Sequence, residues 1–196
     1  FEYTKTTFKK FKPKGFHKTF YNILNLFAHG KIKNLITSMP PQHGKSEGAT
    51  RRLFSFIAGL RPDTKMALVC YSATKAENSD GSMKFVGVGG PLTGDPVDVL
   101  GMDDLYKDWK EANSPLVQEN VWDWYIAVAD SRLHNDSQQL ITFTRWSDND
   151  LIAKLIQKGL VVLYDGSESL DDVISNLRDD QFLMINFPAL KVGDPN

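Results

Sequence analysis

The stretch Met39-Pro-Pro-Gln-His-Gly-Lys-Ser46 lies between an apolar run, Asn34–Ser38, and residues 45–60, where Leu53, Phe54, Ile57 and Ala58 recur at helical spacing. Arg61-Pro-Asp63 then marks a turn into the apolar residues 65–71. Strand, loop, helix and strand in that order form a βαβ unit, which favours a parallel sheet. In that setting a Gly-Lys-Ser loop carries chemistry. Free backbone N–H groups at the helix start form an anion nest, and Gly44 lets the backbone come close.

The residue types suit a nucleoside triphosphate. Lys45 would reach the β and γ phosphates as a point charge, and the Ser46 hydroxyl would complete the coordination of a Mg²⁺ held by those phosphates. Gln42, His43, Gly44, Lys45 and Ser46 are the candidate binding residues for ATP. The front of the loop departs from the usual pattern: Met39 stands at the first glycine position, and Pro40 and Pro41 each remove an amide donor. The donors must then come from residues 42–46.

Further along, Val97-Asp-Val-Leu-Gly-Met-Asp-Asp104 is a mostly apolar strand ending in two carboxylates. Phosphoryl transfer to water needs one such group in the metal shell and one to orient the water. Asp103 is the candidate metal ligand with Ser46, and Asp104 the candidate for the water. An acidic turn would look the same in isolation, and Asp98 and Gly101 are poor strand formers. The segment gains meaning from following the loop. A third strand, residues 138–144, ends in Thr144-Arg-Trp146. Thr144 is the candidate γ-phosphate sensor and Arg145 a candidate catalytic cation; the residues alone equally allow Trp146 in the core and Arg145 paired with Asp148 or Asp150.

The remaining pattern predicts a helix over residues 16–28 stopped by Gly30, and strands over 84–88, 97–102, 160–164 and Phe182–Asn186. Further helices are predicted over 114–129, 148–158 and 170–177. The chain of 196 residues, 41% hydrophobic and 24% charged, is long enough for one domain with a real core. The net charge of -1 gives no global cationic field. Residues 1–14, with Lys5, Lys9, Lys10, Lys12 and Lys14 against Glu2, form a local basic arm that either touches phosphates or is a solvated tail. Cys70 stands alone, which excludes a disulfide framework and fits a buried thiol in a reducing cytosol. No apolar run is long enough to span a membrane and no signal-peptide pattern opens the chain. His17, His29, His43 and His134 are scattered, without metal-ligand spacing.

Taken together, Pro40-Pro-Gln-His-Gly-Lys-Ser46, Gly87-Val-Gly-Gly-Pro-Leu-Thr-Gly94, Val121-Trp-Asp-Trp-Tyr125, Ser131-Arg-Leu-His134 and Thr144-Arg-Trp146 resemble the ATPase half of the large terminase subunit of tailed phages. The resemblance covers residues 16–195 in order. It implies a P-loop NTPase of the RecA-like ASCE type, an α/β fold whose mainly parallel sheet is flanked by helices. It also implies Mg²⁺-dependent ATP hydrolysis driving double-stranded DNA into a procapsid, in the cytoplasm of a bacterial host. The implied partners are a portal protein, a small terminase subunit and further copies of the chain in a ring. Residues 15–190 would be the ATPase domain and 191–196 a linker toward a nuclease domain that this sequence lacks. Two departures stand out. Gln42 replaces an arginine usual in the loop, which leaves Arg51, Arg52, Arg132 and Arg145 as candidate fingers. The stretch near residues 77–82 is shorter than the family's helical segment, which predicts missing residues there. A non-hydrolysing scaffold of the packaging complex and a helicase-like remodelling ATPase are the competing readings.

Overall fold

The computed structural model describes residues 2–7, 15–40, 43–72, 83–90, 92 and 96–187. Expectations for Gln42, for the segment near residues 77–82, for residues 8–14 of the arm and for residues 188–196 fall outside these. Seven strands form one sheet: β1 (Asn34–Ser38), β2 (Met66–Cys70), β3 (Met83–Gly87), β4 (Val97–Asp103), β5 (Leu133–Thr142), β6 (Val161–Tyr164) and β7 (Phe182–Asn186). Their order is β3-β2-β4-β5-β1-β7-β6, and every neighbouring pair is parallel. A parallel sheet is covered on both faces, so its strands read as continuous apolar runs. β1 is buried at all five positions.

Alternation along each strand splits the core in two. Leu35, Leu68, Val99, Leu140 and Leu183 meet α2 (Gly15–Ala28) and α3 (Leu53–Leu60) through Phe20, Ile23, Leu24, Phe27, Phe54 and Ile57. On the other face, Ile36, Val69, Leu100, Met102 and Ile141 are packed with Val121, Tyr125 and Val128 of α5 (Pro115–Arg132) and Leu151, Ile152 and Leu155 of α6 (Leu151–Gln157). The helix α7 (Leu170–Asn176) leads into β7, and the short α4 (Trp109–Ala112) precedes α5. This is an α/β fold with a single all-parallel sheet between helices.

Several boundaries differ from the sequence expectation for local reasons. Residues 2–7 form a short helix, α1 (Glu2–Thr7), with Thr4 buried and the Tyr3 ring 5.5 Å from that of Phe56; this part of the basic arm is folded against the domain and is not a free tail. α6 starts at Leu151, not at 148, because the Asp150 side chain accepts from the Ala153 N–H at 2.9 Å and caps it. β5 begins at Leu133, five residues before the expected start, since Ser137 and Gln138 bond backbone beyond their own strand: Ser137 Oγ donates to Val97 O at 2.7 Å, and Gln138 Nε2 to Phe27 O and Ile32 O at 2.8 Å. The expected α-helix over residues 45–60 is divided: Ser46–Arg52 is π-helical and only Leu53–Leu60 is α-helical.

Gly101, a poor strand former, lies in the middle of β4 for a packing reason. A Cβ there would overlap the Phe54 ring and lie 2.9 Å from Leu68 Cδ1, and both side chains belong to the core. Gly101→Val is expected to lower unfolding stability by about 3 kcal/mol, the upper range for overpacking. Urea denaturation read by tryptophan fluorescence measures it, and a shift under about 0.5 kcal/mol would mean that the α3 face yields more easily than a packed core should.

Candidate functional site

Gly44, Lys45, Ser46, Asp103, Asp104 and Thr144 lie at the carboxyl edge of the sheet, where ligands of open parallel sheets bind. Residues 121–125, by contrast, lie within α5, and residues 131–134 lead into the start of β5, at the opposite edge. The loop leaves β1 at Ser38. Gly44 adopts φ +83, a conformation that costs a Cβ-bearing residue strain, and its carbonyl accepts from Gly48 N at 2.8 Å to start the π-helical turn. Gly48 has no room for a side chain: a Cβ would meet Phe20 Cε1 at 2.7 Å and the Tyr21 hydroxyl at 3.0 Å. The close seat of α2 against this turn therefore fixes where Lys45, Ser46 and Thr50 point.

They point at Asp103 and Asp104. Lys45, only 7% exposed, places Nζ 2.7 Å from Asp104 Oδ1 and 3.9 Å from Asp103 Oδ1. Ser46 Oγ donates to Asp103 Oδ1 at 3.2 Å, and Thr50 Oγ1 to Asp103 Oδ2 at 2.9 Å. Asp103 is the last residue of β4 and is buried. Asp104 follows at φ +46, the one positive φ outside glycine among the described residues. Its carbonyl accepts from Tyr71 N at 3.0 Å and its N–H reaches Thr142 O at 3.4 Å, so tips of β2 and β5 hold the turn in place.

Under this turn, Thr37 Oγ1 donates to Thr142 Oγ1 at 2.9 Å and ties the end of β1 to that of β5. An open cleft of about 420 Å³ lies above, lined among others by Gly44, Lys45, Ser46, Asp104, Tyr106, Lys107, Thr144 and Trp146. Thr144 is thus on the cleft wall. Arg145 is not among the lining residues: its Nε donates to Asp150 Oδ2 at 3.2 Å and its Nη2 to Ser147 O at 3.2 Å. The guanidinium serves the start of α6, and Trp146 is 42% exposed at the cleft, not in the core. His43 turns toward α2, where its carbonyl pairs with His17 Nε2 at 3.3 Å and its ring lies 6.0 Å from Phe16.

Residues that the sequence reading passed over include Thr50, Tyr106 and Lys107. Thr50 carried a signal: it stands four residues after Ser46, on the same helical face. Tyr106 and Lys107 carried none, because only the turn of Asp104 brings them to the cleft.

Burial, and then the neighbouring Asp104 carboxylate, push the Asp103 carboxyl above its ordinary value of 3.8, against the pull of Lys45, Thr50 and Ser46. The raised value fixes the sign of a pH effect: the folded protein binds the Asp103 proton more tightly than the unfolded chain. This contribution to stability therefore falls as pH rises from about 3.8 through the folded value and stays lower above it. Asp103→Asn keeps an acceptor for Thr50 and removes the charge. It is expected to unfold with about 1 kcal/mol more stability than the parent near neutral pH, with the difference shrinking or reversing toward pH 3. Paired urea titrations across pH check this; a parent more stable than the variant at pH 7 would show Asp103 to be a net stabiliser.

Compared with known proteins, the chain matches no family model and no curated protein.

Proposed function

We propose that this chain is the Mg²⁺-dependent ATPase motor domain of a large terminase subunit of tailed phages, moving double-stranded DNA into a procapsid. The observation that carries the reading is the convergence of Lys45, Ser46, Asp103 and Asp104 at one point of the sheet edge, from a loop and a strand separated by β5. In the proposed reaction, the amides around Gly44 and the Lys45 ammonium hold the phosphates. Ser46 and Asp103, whose oxygens lie 3.2 Å apart, would hold Mg²⁺. No three His, Cys, Asp or Glu side chains among the described residues form a metal set, so phosphate and water oxygens would fill the remaining positions. Bound there, the ion would neutralise developing phosphate charge.

Asp104 takes the role of orienting the water and receiving its proton. The water oxygen bonds to the γ-phosphorus, the bond to the β–γ bridging oxygen breaks, and ADP leaves with that electron pair. Asp104 must first release Lys45, which a γ-phosphate can draw away by offering more negative charge. Thr144, in the same cleft lining, would register loss of the γ-phosphate, and the Thr37–Thr142 bond would give a path to the neighbouring strands.

The DNA substrate, the portal protein, the small terminase subunit, the homo-oligomeric ring and the bacterial cytoplasm rest on the sequence resemblance. No helix among the described residues is long and apolar enough to cross a membrane. The test is Mg²⁺-dependent binding of a fluorescent ATP analogue to the chain, with Asp103→Ala as comparison. Binding that needs Mg²⁺ and weakens at least about tenfold in the variant supports the reading. A parent that binds no nucleotide would replace it with a scaffold role in the packaging complex.

A further inference from the structure

In triphosphate hydrolysis the transferred phosphoryl group carries negative charge spread over its oxygens while charge develops on the leaving oxygen, and cations on more than one side stabilise that arrangement. The described arginines are engaged elsewhere or absent from the cleft lining: Arg145 with Asp150 and Ser147, Arg51 and Arg52 with Glu47, and Arg61 with Gln138. The cleft lining contains two cationic side chains, Lys45 and Lys107. Lys45 is held by Asp104 at 2.7 Å. Lys107 makes no side-chain ion pair or hydrogen bond among the described residues.

The backbone around Lys107 is fixed from both sides. Before it, the Tyr106 ring is 3% exposed and 6.1 Å from Phe143 edge-on, and its hydroxyl accepts from Leu151 N at 3.2 Å. After it, Asp108 caps α4 by accepting from Glu111 N at 3.0 Å, while Glu111 Oε2 reaches back to accept from Lys107 N at 3.0 Å. The side chains of Asp104, Tyr106, Asp108 and Glu111 are thus each engaged, and the Lys107 ammonium is not. A long cation on a fixed backbone, in the same cleft lining as Asp104 and Thr144, can reach an incoming anion with no bond of its own to give up.

We propose that Lys107 is a further catalytic residue, which contacts the γ-phosphoryl oxygens from the cleft lining it shares with the phosphate loop. Lys107 thereby supplies in the same chain the second cation of the transition state. The proposal rests on the nucleotide reading above and deepens it. Lys45 binds phosphates in substrate and product alike, whereas Lys107 acts on the γ position, so its removal should be felt only when that position is filled.

The experiment measures affinities of a fluorescent ADP with Mg²⁺, the same ligand with aluminium fluoride, and a non-hydrolysable ATP analogue, for the parent, Lys107→Ala and Lys107→Arg. Lys107→Ala should keep the ADP affinity within about twofold and lose about tenfold for both γ-filled ligands, with Lys107→Arg retaining most of it. Equal losses for all three ligands would assign Lys107 a structural role, and unchanged affinities would remove it from the site; either overturns the proposal while nucleotide binding by the parent stands. A parent that binds none of the three ligands overturns the nucleotide reading itself and this proposal with it. The urea midpoint of Lys107→Ala should match the parent, since the side chain is exposed and unpaired.

Discussion

Lys45→Ala is expected to lower affinity for Mg²⁺–ATP by at least about 100-fold and, in the absence of any nucleotide, to lower stability by about 2 kcal/mol. Both effects come from one ammonium. Lys45 is nearly buried and lies between Asp104 at 2.7 Å and Asp103 at 3.9 Å. Removing it leaves two adjacent carboxylates, one of them buried, with no cation between them, and a buried uncompensated charge is costly. The stability loss is set at the modest end because the Asp104 side chain is 36% exposed, so water screens part of the repulsion. Isothermal titration with the nucleotide and urea unfolding without it measure the two halves separately. Adding Asp104→Ala to the variant should restore part of the stability and none of the binding, because the repulsion disappears while the proposed phosphate cation is still missing. If Lys45→Ala were as stable as the parent, the ion pair would be a surface contact and not the neutralising centre of the site.

The framework of the fold was legible where local pattern and burial agree. The strands Asn34–Ser38 and Phe182–Asn186 appear at the residues expected, since both are short apolar runs with turn residues around them. The helix over residues 16–28 was equally plain, with apolar spacing throughout and Gly30, at φ +73, closing it. What failed depended on contacts from elsewhere in the chain. Nothing local marks residues 2–7 as a helix; Thr4 and Tyr3 are held by the surface they meet. The π-helical turn at Ser46–Arg52 follows from Gly48 packed under Phe20 and Tyr21, a neighbour relation no window of sequence displays.

The site divides in the same way. Lys45, Ser46 and Asp103 were picked out because strand-to-helix loops and strand ends place side chains at one edge of a parallel sheet, and those three meet there. The role of Arg145 was left open by its sequence neighbours. A cation five residues before an aspartate suits both a phosphate and that aspartate, and the outcome depends on how deeply the aspartate is buried. Lys107 escaped notice because a lysine after two acids and a tyrosine has no periodic signature; its position follows from the left-handed turn at Asp104.

Arg145 and Asp150 lead to the second large effect. Asp150 is fully buried, and burial pushes its carboxyl above the ordinary 3.8 while the bond to Ala153 N and the Arg145 charge pull it back. One oxygen caps α6 at 2.9 Å from Ala153 N, and the other accepts from Arg145 Nε at 3.2 Å. Asp150→Ala therefore removes a cap and leaves a partly buried guanidinium without its carboxylate, for an expected loss of about 4 kcal/mol. Asp150→Asn keeps an oxygen acceptor for Ala153, but unlike Asp103→Asn it turns an amide NH2 toward the Arg145 Nε donor, and this clash outweighs the relief of the buried charge, for a loss of about 1–2 kcal/mol. The same pair also anchors the segment from Thr144 to Asp150, of which Thr144 and Trp146 line the cleft, so on the proposed function a variant in which this segment is slack should bind ATP and ADP more nearly alike than the parent. Thermal unfolding of the two variants separates cap from charge. Equal losses in Asp150→Ala and Asp150→Asn would show that the ion pair, and not the helix cap, holds α6, because only the charge is absent from both.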